Sequence, residues 1–427
     1  MRNSHAAPPC PCWPAFPCPT RQLQEQGRPH ARRADRFPLR TPIGKFGGAL
    51  AALSADQLAA GIIHALLQRV DIPPATLDEV IVAQSYASSE APCMGRYAAL
   101  AAGLPVEVPG YTLDRRCGSG LQAVIDAAMH VQTGAAQAVL VVGVESMSNI
   151  EYYSTDMRWG ARAGSVKFHD RLERGRERSQ PQERFGRISG MPETAENLAR
   201  DYAISREEAD RFAVRSHQNA ASAWREGRFA NEVVPVTVPG KRGSQTVVSM
   251  DEGIRQEASL DGMAGLRTLL PEGVCTAGNS SQQNDAAAAC LVVSREYAER
   301  HRLEPIARLV DWAAAGCEPA RMGIGPVPAV EKLLQRTQRT LAEMDLIEVN
   351  EAFAAQALAV LKAWGLENDE RVNVNGSGIS LGHPIGATGV RIMTTLLHEM
   401  QRRGSRYGLE TMCIGGGQGL AALFERV

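Results

Sequence analysis

Between Ala138 and Ser146 the chain reads AVLVVGVES, an apolar run of strand length with no polar alternation. Such a strand has no face to give to water, so other elements must cover both of its sides. The segment before it, GLQAVIDAAMHVQTG, reads as a mostly apolar helix closed by Gly134. Upstream, LDEVIVAQS is another buried strand. SADQLAAGIIHALLQRV is an amphipathic helix with Ser54 and Gln57 at capping-box spacing. Strand, helix and strand in this order require right-handed crossovers and a sheet covered on both faces. The fold class is α/β.

The alternation returns later. ACLVVS, PIARLVDWA, DLIEVN and VNVN read as strands; AVEKLLQRT, AFAAQALAVLKAW and the segment after Gly386 read as helices. A hairpin, TMCIGGGQGLAALFE, closes the chain. Both halves use similar units, and each carries a glycine-flanked cysteine, Cys117 in the first and Cys413 in the second. The pattern predicts a duplicated fold. Its N-terminal half spans 37–148, completed by 284–305, and its C-terminal half spans 306–427. Residues 149–283, more charged and including the arginine-rich HDRLERGRERSQPQERFGR, read as an inserted subdomain, with a further capping box at Ser205 and Glu208. Residues 1–36 are rich in Pro and Arg and show no period of either kind. They read as a disordered or aberrant leader. Their prolines and three cysteines spoil the amphipathic helix of a transit peptide, and no apolar segment follows for a secretory signal.

Charge narrows the partners. A net charge of −1 over 427 residues gives no support to nucleic-acid binding or to a basic membrane patch. No apolar run approaches the ~20 residues of a membrane helix. The nine cysteines are odd in number and those beyond the leader are scattered, without C-x-x-C pairs. This argues against a disulfide framework or a structural zinc site and for a reducing compartment, with the cytoplasm expected.

Four glycine-marked stretches carry the chemistry. In CGSG, Cys117 precedes a helix, where the positive end of the helix macrodipole favours thiolate; alone, the motif would read as a small residue at a tight helix start. In NGSGISLGHPIGATG, His383 is caged by five glycines. In CIGGGQG, Cys413 runs into three consecutive glycines, which exposes backbone N–H groups or simply forms a hairpin turn. In EVNEAFAAQ, Asn350 and Glu351 end a strand and begin a helix, either as caps or as residues aimed into a cleft at the strand ends. Two thiols, a histidine and an asparagine on such loops suit acyl-thioester chemistry. One thiolate accepts the acyl group, the histidine moves its proton, and backbone N–H groups hold an oxyanion. The second thiol makes sense where a carbon acid must lose a proton.

With these motifs the chain resembles the thiolases, the acetyl-CoA acyltransferase family. RTPIGKFGG, CGSGLQA, TAENLA, TAGNSSQQND, MGIGPVPA, NEAFAAQ, GHPIGATG and CIGGGQG stand in the family's order from residue 40 to 427. The resemblance implies a duplicated five-layered α-β-α-β-α fold with an inserted covering-loop subdomain. It implies Claisen condensation of two acyl-CoA molecules, such as acetyl-CoA, to a 3-oxoacyl-CoA and CoA, or the reverse thiolysis, within fatty-acid metabolism including β-oxidation. Cys117 would be the acylated nucleophile. His383 would activate it and form one oxyanion hole with a water held by Asn350. Cys413 would take the α-proton, and the N–H groups of Cys117 and Gly415 would form the second oxyanion hole. Ser281 and Arg255 match positions that contact CoA, Ala352 and Phe353 match pocket walls, and Met191 and Met322 match positions near the acyl group. No metal or redox cofactor is implied, and a homodimer or homotetramer is.

The sequence departs from the family at several points. ADRFPL, broken by Pro38, replaces the usual first strand; Gln282 and Ala286 replace glycines; and Gly190 replaces a histidine common in short-chain members. Gln282, Ala286 and Gly190 bear on CoA affinity and chain-length preference rather than on the reaction. Two rivals remain. A ketoacyl synthase would carry histidine in place of Cys413, and a silent lipid- or CoA-binding paralogue would not keep Cys117, His383, Asn350 and Cys413 together.

Overall fold

The computed structural model describes residues 38–427. The leader, and all of ADRFPL before Pro38, lie outside the described residues. Two mixed sheets carry the chain. In the first, the strand order is Leu39–Arg40, Asn284–Val293, Ala138–Ser146, Glu79–Ala83 and Gly110–Leu113, with Gly44–Lys45 also pairing with Asn284–Val293. In the second it is Ala307–Gly316, Gln418–Arg426, Tyr407–Ile414 and Leu346–Val349. Along the first path the neighbours pair antiparallel, antiparallel, parallel and parallel. Along the second they pair antiparallel, antiparallel and parallel. The two halves therefore repeat one topology.

One element departs from the sequence reading. VNVN forms no strand; only a single parallel bridge joins Val372 to Ile347. Asn373 adopts a left-handed backbone, φ +50°. Its side chain donates to Val349 O and Glu351 Oε1 and accepts from Val349 N, so an amide does what a fifth strand would have done.

The helices form three layers around the sheets. Val80, Val82, Leu140, Val142 and Val144 pack outward against helices Ala55–Arg69 and Met94–Ala101. Ile81, Ala83, Val139 and Val141 point the other way, to a central layer made of helices Ser119–Gln132 and Thr388–Arg403. Met412, Ile414, Leu420, Ala422 and Phe424 of the second sheet close that layer from below. Leu409, Ala421 and Leu423 face the outer helices Pro326–Thr337 and Ala354–Trp364. Every residue of Ala138–Ser146 is buried, as a strand covered on both faces requires. The central helices touch at two glycines. A Cβ on Gly389 would lie 2.0 Å from the Leu121 amide nitrogen, and one on Gly120 would lie 2.8 Å from that of Val390.

Residues 147–283 leave the end of Ala138–Ser146 and return at Asn284, beside it in the sheet. Helices Met191–Asp201 and Arg206–Arg225 of this stretch pack onto the second half's outer layer through Leu198, Phe212 and Ala213. The stretch also supplies Glu232 and Asp251, which hold the buried guanidinium of Arg40 at 2.6 and 2.7 Å. Arg40 stacks over Phe229 at 5.0 Å. Pro38, immediately before the first strand, accepts a hydrogen bond on its carbonyl from His398 Nε2 at 2.8 Å. Pro38 thus stands at an edge-strand start, where its missing N–H is tolerated.

Candidate active site

Cys117 sits in a tight turn rather than on the helix itself. The turn Arg116–Gly118 precedes helix Ser119–Gln132, and Arg116 has φ +50°. Four bonds hold this backbone: Arg116 N donates to Asp114 Oδ1, Arg115 N to Ser119 Oγ, and the hydroxyls of Ser85 and Ser119 both donate to Arg116 O. The thiol is half-buried and receives the Gly415 N–H. Its pKa is nevertheless raised: desolvation outweighs the pull of the Gly415 and Cys117 N–H groups and of Arg116. The expectation of a dipole-favoured thiolate is corrected, because burial exceeds the field at the helix start. The resting sulfur is a thiol that needs a base.

His383 is the candidate base. Its loop, closed by Pro384 and Gly386, is buried, and its backbone N–H donates to Asn284 Oδ1 at 2.9 Å. Nδ1 lies 2.6 Å from Thr388 Oγ1, whose own hydrogen is donated to Pro384 O. Thr388 must therefore accept, which places the ring proton on Nδ1 and leaves a lone pair on Nε2. Burial, with Arg391 and Arg176 adding to it, pushes the imidazole down to about 3, so it stays neutral. Asn350 Nδ2 stands 3.5 Å from Nδ1, and its Oδ1 is buried without a protein partner. Glu351, its neighbour, turns away. Its carboxylate accepts from Ser216, Asn373 and the Ile379 N–H, so it braces the scaffold.

Cys413 is fully buried at the end of Tyr407–Ile414. Its thiol is raised well above the usual range by burial, then by Cys117 and Cys317. Cys317, a third thiol at this point, was not visible as part of the site in the sequence. The hairpin register, Ile414 opposite Gln418, leaves Gly415–Gly417 as the turn. Gly416 and Gly417 have φ of +92° and +89°, and a Cβ on Gly417 would lie 2.3 Å from Cys317 O. Two of the three glycines thus serve the turn, while Gly415 presents its N–H to the Cys117 sulfur. The shared topology also shows that the two cysteines are not equivalent. Cys117 stands between the fourth strand and the central helix of its half, the place taken by the His383 loop in the other. Cys413 instead ends the strand that follows that helix.

The remaining positions surround this centre. Arg255 is exposed, with Nη2 donating to Ala277 O, and Ser281 N donates to Ala352 O at 2.9 Å. Phe353 forms a bridge with Ser280 and begins the helix behind Asn350. Met191 Sδ would be 3.8 Å from a Cβ on Gly415, whereas Met322 is buried within the second half's outer core. Gln282 Nε2 donates to Gly253 O, so the side chain that replaces a glycine ties down the Arg255 segment. The arginine-rich stretch folds over the thiols. Its short helix Arg171–Glu177 sets Gly175 against Tyr86 and Arg116, and Ser179 reaches Gly415 and Gly416.

Two thiols, a neutral histidine and an N–H aimed at sulfur are the parts that a cysteine-dependent acyl transfer would need. Comparison places it more narrowly. Residues 38–296 match the thiolase N-terminal domain and residues 303–426 the thiolase C-terminal domain, so the chain belongs to the thiolase family. It is 45% identical to an acetyl-CoA acetyltransferase of Chromobacterium violaceum over 388 residues, covering 91% of this chain and 97% of the relative. It is 43% identical to a beta-ketoadipyl-CoA thiolase of Acinetobacter baylyi over 393 residues, covering 91% and 98%. The crystal structure of the Bacillus anthracis acetyl-CoA acetyltransferase superposes with a TM-score of 0.87 at 42% identity, covering 92% and 98%.

Proposed function

We propose that the chain joins two acyl-CoA molecules, acetyl-CoA foremost, into a 3-oxoacyl-CoA and free CoA, or cleaves that product with CoA, through an acyl group carried on Cys117. The observation that carries the reading is the Gly415 N–H bonded to the Cys117 sulfur, because the same strand end brings the Cys413 thiol beside it. His383 Nε2 takes the Cys117 proton as sulfur attacks the thioester carbonyl. The oxyanion forms at the Cys117 and Gly415 N–H groups, and CoA leaves as a thiol. Cys413, left as a thiolate by giving its proton to the departing CoA sulfur, then removes the α-proton of a second acyl-CoA, whose enolate oxygen is held by His383, still carrying the Cys117 proton on Nε2, and a water on Asn350. The unpartnered Asn350 Oδ1 supports that role. Carbon attacks the acyl-cysteine, and the Cys117 thiolate is released and reprotonated.

CoA would run past Ser281 and Arg255, with Ala352, Phe353, Met191 and Met322 about the acyl end. The reading invokes no metal or redox cofactor, a homodimer or homotetramer, and a cytoplasmic site of action in fatty-acid metabolism, with β-oxidation as the thiolytic direction. Thiolysis of acetoacetyl-CoA by CoA, followed at the enolate absorbance and repeated over longer 3-oxoacyl chains, tests it. Absence of turnover with every chain length would defeat the reading.

A further inference from the structure

Glu145 has no part in the steps above, yet the chain buries it completely beneath them. It stands next to the end of strand Ala138–Ser146, with no basic side chain among its hydrogen-bond partners. Its oxygens accept three backbone N–H groups. Oε2 takes those of Ser85 at 3.0 Å and Gly386 at 2.9 Å, and Oε1 takes that of Tyr86 at 3.3 Å. Gly386 belongs to the His383 loop. Ser85 passes the contact on, because its hydroxyl donates at 2.9 Å to the carbonyl of Arg116, the residue before Cys117. One carboxylate thus bonds the loop of the base directly and reaches the loop of the nucleophile through a single residue, Ser85.

The packing leaves that loop no slack. A Cβ on Gly386 would lie 2.5 Å from Val144 O and 3.0 Å from Glu145 Oε2, and one on Gly143 would lie 2.8 Å from the Ala387 Cα. The loop is drawn onto the strand end as closely as its backbone allows. We infer that Glu145 is a positioning residue of the reaction, its carboxylate pinning the His383 loop and the Cys117 turn into one register. The inference rests on the assignment of Cys117 and His383 made above.

Three N–H donors need an acceptor-only partner, so protonation of Glu145 would set an O–H among them and orphan one. Burial raises this carboxyl to about 7, against the pull of the three N–H groups and with Asp114 raising it further. The other ionisable groups on the surrounding elements include Tyr86, Asp114, Arg116, Cys117, His383 and Arg391, with Asp285 on the paired strand. The phenol and thiol are raised and the imidazole is down at about 3. An acid limb in kcat with its midpoint near 7 is what protonation of Glu145 would give, and His383, down at about 3, would not.

The test is the pH profile of kcat and KM for acetoacetyl-CoA thiolysis in wild type, Glu145→Gln and Glu145→Asp. Wild type should lose activity with a midpoint near 7. Glu145→Gln should lower kcat about tenfold or more at alkaline pH, change KM by less than about threefold, and lack the acid limb. Glu145→Asp, which keeps the charge, should recover part of kcat and show a limb with a displaced midpoint. A wild-type profile that is flat from about pH 6 to 8 would overturn the inference even if no variant folds, as would a limb that persists in Glu145→Gln. Acyl trapping on Cys117 in wild type separates the two levels: no trapping defeats the proposed function itself, whereas trapping with an unaltered Glu145→Gln profile defeats only this inference.

Discussion

Replacing Thr388 by Val removes one hydroxyl from His383 and changes little else in shape. In the native site that hydroxyl accepts the Nδ1 proton at 2.6 Å and donates to Pro384 O at 2.9 Å, within a fully buried pair. The variant leaves the imidazole two poor choices. It can keep the proton on Nδ1 without a partner, a buried orphan worth about 1–3 kcal/mol. It can instead move the proton to Nε2 and lose the lone pair to which the proposed function assigns the deprotonation of Cys117. Because the thiol is raised by burial, that base cannot be bypassed. The same 1–3 kcal/mol corresponds to a fall in kcat of about 5- to 150-fold, with KM little changed. Steady-state thiolysis of acetoacetyl-CoA reads this directly, and Thr388→Ser, which restores the hydroxyl, should return most of the rate. A Val variant within about twofold of wild type, or a Ser variant as impaired as Val, would refute the tautomer argument.

Three further outcomes are expected. Gly389→Ala should lower stability by about 3 kcal/mol, the upper end for overpacking, because its Cβ meets backbone 2.0 Å away rather than a movable side chain; an unchanged thermal midpoint would contradict this. His217, held down to about 4 chiefly by burial, contributes stability that is complete above its unfolded value of about 6.5 and is lost as pH falls toward 4. Wild type should therefore lose more stability than His217→Asn between about pH 7 and pH 5, and parallel urea-denaturation series showing equal losses would contradict this. Cys413→Ala should still accept an acyl group on Cys117 while failing to exchange the α-proton of acetyl-CoA, whereas His383→Ala should impair both, measured by acyl trapping and by proton exchange into deuterated solvent.

The fold was legible wherever burial on both faces left a local imprint. AVLVVGVES read as a covered strand and TMCIGGGQGLAALFE as a hairpin, and the capping box at Ser205 forms as its spacing implied, with Ser205 Oγ accepting from Glu208 N and Glu208 from Ser205 N. VNVN was misread because alternation says nothing of Asn373, whose side chain replaces strand pairing with three bonds of its own. The glycine-flanked cysteine in each half, counted toward the duplication, was a weak sign of it, because glycines mark turns of any kind; topology matches Cys117 with the His383 loop instead. The acidity of Cys117 was misjudged for a related reason. A helix start is a local feature, whereas the desolvation that outweighs it comes from chain segments far away in sequence. Thr388 and Glu145 escaped notice because a hydroxyl in a helix and an acid in a strand gain meaning only from Nδ1 of His383 and the N–H groups of Ser85, Tyr86 and Gly386.

The central claim is that Cys117 carries the acyl group while Cys413 handles the proton. Brief incubation with acetyl-CoA, acid quench and peptide mass mapping test it most directly. The account predicts one acetyl group on the Cys117 peptide in wild type and in Cys413→Ala, and none in Cys117→Ala. Acetyl found only on Cys413 or on the exposed Cys93, or its disappearance from Cys117 when Cys413 is removed, would contradict it.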